Sequence, residues 1–202
     1  MKNFLGIDFE EWYHPELIQK NIQIKNKSDK LVNGIDKILD WLRKNDVYAT
    51  FFIVGELLER NLELMDKILQ NDHEIAFHSM YHKNLKTQNK ETFAKELSDF
   101  KNLTQKKSIG FRAPTFSLYD SNSWIIAMLE EFDYKYDSSI VPAKTQLYGH
   151  PNAETKPYRI SEKNLLSDND DGKIIEFPLL TTKFFGKTIP AGGGFYLRAL
   201  PL

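Results

Sequence analysis

The 202-residue chain has no cysteine, which excludes disulfides, thiolate nucleophiles and any cysteine-ligated zinc site. A metal here would need histidine and carboxylate ligands. Charge of one sign is also missing: 27 basic residues face 28 acidic ones, leaving a formal charge of -1 and no global field to draw nucleic acid or an anionic membrane. No apolar run approaches the ~18 residues of a membrane span. Asp8 and Glu10 interrupt the N-terminal stretch before it offers the ~7 to 15 apolar residues of a signal peptide. These absences set the expectation of a cytoplasmic protein with no membrane span and no nucleic-acid partner.

What is present is enough apolar residue, 41% of the sequence, to bury a sizeable core, and one domain over 1–202 is expected. Short apolar runs alternate with helical patterns, the signature of β/α units around a parallel sheet. "FLGID" (4–8), "VYATFFIV" (47–54), "HEIAF" (73–77), "IGFR" (109–112), "YKYDSS" (134–139) and "KIIEFPLL" (173–180) read as six strands. Leu31, Ile35, Ile38 and Leu42 mark one intervening helix; Leu58, Leu62, Met65 and Leu69 mark another; Phe93, Leu97 and Phe100 mark a third. The polar stretch between strands five and six, with Pro142, Pro151, Pro157 and the acidic "SDNDDG" (167–172), reads as an insertion loop.

The polar residues fall on one rim. Asp8 and Glu10, then His78 and His82, then Arg112, then Asp137 each sit at the C-terminal end of a strand, where chemistry is expected in both barrels and open sheets. Three of the five histidines lie in "HEIAFHSMYH" (73–82). Spacing i, i+4 turns His78 and His82 the same way if the backbone there is helical. With one carboxylate they suit zinc or a similar divalent ion, which lowers the pKa of a water ligand from ~15.7 to about 7. The same residues also suit blander roles: surface histidines at a helix start, turn-capping acids at 8 and 10, and a helix N-cap at Asp137. His73 is read as solvated, and His14 as lining a pocket. "AGGGF" (191–195) lacks the Lys and Ser or Thr of a phosphate loop.

"GIDFEEWYH", "HEIAFHSMYH", "GFRAPTFSL" and "YKYDSSIVP", in that order, resemble the NodB-type polysaccharide deacetylases of carbohydrate esterase family 4, in the branch whose first motif reads Asp-x-Glu. "GGGFYLRALP" resembles a further segment of that branch. The resemblance implies an α/β fold, a distorted (β/α)7 barrel, and metal-dependent removal of an N-acetyl or similar acyl group from an amino sugar of a glycan. It implies Glu10, His78 and His82 as ligands of a divalent metal, zinc first, with cobalt or nickel as substitutes. It implies Asp8 as catalytic base, Arg112 as the group orienting it, Asp137 as their acidic support and the backbone N–H of Thr115 as an oxyanion donor. His14, Trp12 and Phe116 are expected at the sugar.

The family's fifth motif supplies a histidine as general acid, and no histidine follows residue 150 here. With six strands counted, the barrel is expected to be incomplete and the sequence to be truncated at its C-terminal end. Two alternatives remain open: a degenerate glycan-binding protein without turnover, and a hydrolase of another small amide such as a formyl group.

Overall fold

The computed structural model describes residues 4–192. The chain divides after Pro114 into two compact units. The first carries β1 (Leu5–Phe9), α1 (Glu16–Asn21), α2 (Lys30–Asn33), α3 (Ile35–Lys44), β2 (Ala49–Ile53), α4 (Gly55–Arg60), α5 (Glu63–Gln70), β3 (Glu74–Phe77), α6 (Lys90–Leu103) and β4 (Gly110–Phe111). Its four strands pair in sequence order, all parallel, in the register Phe9, Ile53, Phe77, Phe111. A parallel strand covered on both faces has no polar side to show, and β2 accordingly reads Ala-Thr-Phe-Phe-Ile with Phe51, Phe52 and Ile53 buried. Phe77 lies 4.6 Å from Phe100 and 5.6 Å from Phe111, ring centre to ring centre, at the middle of an aromatic core. Each such buried ring contributes roughly 2 to 3 kcal/mol of transfer free energy.

Helix α6 matches its expected stripe of Phe93, Leu97 and Phe100, all buried, and Asn89 and Thr92 close its N-terminus with a reciprocal capping box. The other two expected helices are each split. Gly34 separates α2 from α3, which buries Ile35, Leu39 and Leu42. Asn61, at φ −138°, ends α4 before α5, and the two bury Leu57, Leu58, Leu64, Met65 and Ile68 while Leu62 is exposed.

The second unit holds α7 (Trp124–Glu131), β5 (Tyr136–Asp137), β6 (Tyr158–Ile160), β7 (Ile174–Glu176), and the hairpin β8 (Thr181–Phe184) with β9 (Lys187–Pro190). β5 and β7 are parallel, with Asp137 opposite Glu176, and β6 joins β7 antiparallel. The expected insertion loop therefore contains a strand. Three residues after Pro157 are too few for a period to show, and the acidic run does structural duty: Asp168 accepts from the backbone N–H and the guanidinium of Arg159, and Asp170 from the guanidinium. The expected sixth strand is shorter than "KIIEFPLL", since Pro178 has no N–H to continue a ladder. Residues 193–195 of "AGGGF" and the "GGGFYLRALP" segment beyond Gly192 lie outside the described residues.

Both units are α/β, and β1 is an edge strand among the described residues. No helix among the described residues is long and apolar enough to cross a membrane.

Candidate metal centre

Strand period and register place the chemistry. Side chains alternate along β1, β2 and β3, so Asp8, Glu10, Phe52, Ala76 and His78 project from the same face of the sheet, with Arg112 just beyond β4. Glu10 and His78 come one residue after the Phe9 and Phe77 row, at the strand ends, where the ladder stops and loops begin.

The segment 78–82 is not helical. Ser79 and His82 instead take left-handed backbone, φ 59° and 53°, and these two reversals bring His82 back toward His78. Such conformations cost roughly 1 kcal/mol or more for non-glycine residues, so the loop needs outside support. It has three braces. The Gly55 N–H at the start of α4 donates to the Ser79 carbonyl and the Glu56 N–H to the Met80 carbonyl. The Met80 N–H donates to the buried carboxylate of Glu96 on α6, which also accepts from Gln88.

The two imidazoles are oriented by carbonyl oxygens. His78 Nδ1 lies 2.7 Å from the Arg112 carbonyl and His82 Nδ1 lies 3.1 Å from the His14 carbonyl. A carbonyl only accepts, so each Nδ1 carries a proton and each Nε2 is the ring nitrogen left to face the cluster. Burial holds the His78 pKa below the usual range despite the nearby carboxylates, which keeps that ring neutral. Ligand atoms of Glu10, His78 and His82 all fall within 4.8 Å of one another. Glu10 Oε2 stands 2.5 Å from His82 Nε2, yet it is buried and makes no hydrogen bond. A bound cation would satisfy that carboxylate oxygen together with the ring nitrogen beside it. The donor set, two imidazoles and a carboxylate, fits zinc and its neighbours.

Beside this cluster Asp8 accepts a hydrogen bond from Arg112, Nη1 to Oδ1, at 2.7 Å. Burial pushes the Asp8 carboxyl up, but the Arg112 guanidinium and the two histidines together hold it below its ordinary value. The guanidinium lies over Phe52, 4.0 Å from the ring centre. It fits there because the strand carries Gly6: a Cβ at that position would stand 2.8 Å from a guanidinium nitrogen and from the Phe52 ring.

Asp8, Glu10, His78, His82 and Arg112 are thus brought together in the first unit. His14 differs from its expected place at a pocket wall: it is buried, with Nδ1 accepting from the Glu11 N–H and Nε2 at 2.7 Å from Glu56. His73 is buried rather than solvated, its Nδ1 3.4 Å from the Ala49 nitrogen. Trp12 is 40% exposed and donates to the Ser28 carbonyl. Thr115, Phe116 and Asp137 belong to the second unit. There Thr115 has left-handed backbone at φ 54°, Phe116 packs into a small core with Val141 and Ala143, and Asp137 is buried, accepting from Ser139 Oγ at 2.5 Å. Gly6, Phe52, Glu56 and Glu96 are supporting residues that the motifs do not single out. Gly6 carries a signal, a glycine inside a strand two residues before an acid; so does Glu96, an acid on the apolar stripe of α6.

Comparison with known proteins identifies the family. The family model described as polysaccharide deacetylase matches residues 28–136, and one described as a domain of unknown function, DUF3473, matches 138–202. An uncharacterized 30.6 kDa protein of Geobacillus stearothermophilus is 28% identical over 146 residues, 69% of this chain and 52% of that protein. A peptidoglycan-N-acetylglucosamine deacetylase of Bacillus cereus is 32% identical over 81 residues, 39% of this chain and 38% of that protein. The chain thus spans about half or less of the length of these relatives. A solved Mycobacterium smegmatis structure, described provisionally as a polysaccharide deacetylase, superposes with a TM-score of 0.55 at 24% identity, over 72% of this chain and 45% of that one, and shares its fold. With more than half of its residues matched by the family model, the chain belongs to the polysaccharide deacetylase family.

Proposed function

We propose that this protein binds a divalent metal, zinc by preference, through Glu10, His78 and His82, and hydrolyses the N-acetyl or a similar acyl group of an amino sugar in a glycan. One observation supports this above the rest: both histidines hold their Nδ1 protons on backbone carbonyls, so that two Nε2 atoms and a Glu10 oxygen without a hydrogen bond converge. The Bacillus cereus relative, named for peptidoglycan N-acetylglucosamine, indicates the substrate class.

An ion held by Glu10, His78 and His82 would supply Lewis acidity toward water and the amide carbonyl. The protein's own groups do the rest. Asp8, kept ionised by Arg112, takes a proton from the attacking water. Arg112 fixes the carboxylate through one hydrogen bond and is itself fixed by its contact with Phe52. The leaving amine must also be protonated, and the proton gained by Asp8 is available for that step.

The test is metal content by elemental analysis of the purified protein, followed by acetate release from N-acetylglucosamine oligomers with zinc or cobalt. About one ion per molecule, lost in Glu10→Ala and His78→Ala, together with acetate release abolished in Asp8→Ala, is the expected result. Metal binding without acetate release would favour a glycan-binding role, and no metal after reconstitution would overturn the proposal.

A further inference from the structure

Two loops carry the three ligands, and one residue outside both grips each of them. Glu56, the second residue of α4, donates its backbone N–H to the Met80 carbonyl at 2.9 Å, inside the loop that bears His78 and His82. Its side-chain Oε1 lies 2.7 Å from His14 Nε2, in the loop that follows Glu10. His14 in turn accepts the Glu11 N–H on Nδ1 at 3.0 Å, which places the ring proton on Nε2 and makes Glu56 its acceptor. The carbonyl of His14 then accepts from His82 Nδ1, and the His14 and His82 rings stack at 6.1 Å with an interplanar angle of 14°.

With Nδ1 occupied by a backbone donor and Nε2–H committed to Glu56, His14 has no lone pair left for a metal. Its route to the site is its own main-chain oxygen. That oxygen aims His82, and the side chain fixes where the oxygen stands. His14 is 1% exposed and Glu56 17% exposed, so the bond between them is largely shielded from water.

We propose that Glu56 and His14 act as a positioning pair for the metal centre, clamping the two ligand-bearing loops together and setting the orientation of His82. This rests on the metal reading given above. The pair contributes neither a ligand nor a proton to the reaction. Loss of outer supports of a metal-ligating histidine typically changes metal affinity by about 10- to 100-fold; here the Glu56 side chain acts through His14, whose carbonyl bonds His82.

The experiment is a zinc titration in competition with a chromophoric chelator, on the parent protein and on Glu56→Ala, Glu56→Gln and His14→Phe, with circular dichroism as a check on folding. Glu56→Ala is expected to bind zinc about 10- to 100-fold more weakly with the fold retained. Glu56→Gln, whose amide oxygen still accepts the Nε2–H bond, is expected to stay within about threefold of the parent. His14→Phe keeps a ring but loses both bonds, and is expected to match Glu56→Ala. The double variant is expected to be no worse than either single one, since the two residues form one device. The cobalt-loaded protein adds a spectroscopic reading: its ligand-field bands should shift in Glu56→Ala and not in Glu56→Gln.

If the parent binds one zinc and Glu56→Ala binds it equally well, the positioning pair is refuted and the metal site stands. If Glu56→Gln is as weak as Glu56→Ala, the bond to His14 is not the cause and the inference also fails. If the parent binds no zinc at all, the metal reading falls and this one falls with it.

Discussion

Gly6 leaves the space that the Arg112 guanidinium occupies: a methyl group on its Cα would come within 2.8 Å of one guanidinium nitrogen and 3.0 Å of another. The arginine cannot move far without losing either its hydrogen bond to Asp8 or its contact with Phe52. Gly6→Ala is therefore expected to displace Arg112 and leave Asp8 misaligned. Turnover should fall on the order of 10²-fold, the cost of a misplacement near 1 Å, while zinc stoichiometry is unchanged. Paired measurements of acetate release and metal content check this; full activity in the variant would mean the guanidinium has another resting place.

Removing the arginine acts on Asp8 through its charge. Burial raises the Asp8 pKa and Arg112, with the histidines, lowers it, for a net depression. The carboxylate is then ionised down to a lower pH than an ordinary aspartate. In Arg112→Met the burial effect loses its main opponent, so the acid limb of the kcat/KM profile should move to higher pH. A pH–rate profile of the two proteins shows this directly, and an unmoved limb would remove Asp8 from the role of base.

Asp8→Asn keeps the shape of the side chain and abolishes its basicity. Loss of a single acid–base group costs about 10²- to 10⁴-fold in rate. Because Asp8 is not among the converging ligand atoms, the variant should still hold about one zinc per molecule. A variant that loses its zinc would show that Asp8 is a ligand.

Glu96 supports the ligand loop from below, accepting the Met80 N–H and a Gln88 amide proton while buried on α6. Glu96→Ala leaves the Met80 N–H buried without a partner, a cost of about 1 to 3 kcal/mol. Urea denaturation should show that loss, and zinc affinity should fall with it as Ser79 and His82 relax from left-handed backbone. Unchanged stability would mean that water reaches the Met80 amide.

In the second unit, Asp137 and Glu176 face each other across β5 and β7, both buried. Burial first, and the Asp137 charge second, push the Glu176 pKa well above its ordinary 4.5. The folded value exceeds the unfolded one, so the stability linked to a protonated Glu176 is complete below about pH 4.5 and is lost as the pH rises toward the folded value. Glu176→Gln mimics the protonated form at every pH. Melting temperatures measured from acid to alkaline pH should decline less in the variant, and parallel curves would refute a protonated Glu176.

The alternation of strand and helix, the buried stripe of α6 and the ordered appearance of Asp8, Glu10, His78, His82 and Arg112 at strand ends were all legible in the sequence. These are local patterns, set by the periods 2 and 3.6 and by where an apolar run must stop. Short elements were not legible: β6 has three residues, and the breaks at Gly34 and Asn61 interrupt helices without interrupting apolar spacing.

The way the site is held was not legible either. Spacing i, i+4 suggested a helix through 78–82, whereas His78 and His82 meet through two left-handed residues braced by α4 and α6. Arg112 and Asp8 are 104 residues apart, and the carbonyls that orient His78 and His82 come from positions 34 and 68 residues away. Residue types and their order follow from the sequence, because side-chain chemistry and backbone period are properties of neighbours. Tautomers, loop conformations and the gap at Gly6 depend on packing between distant segments, and exist only once the sheet has brought those segments into register.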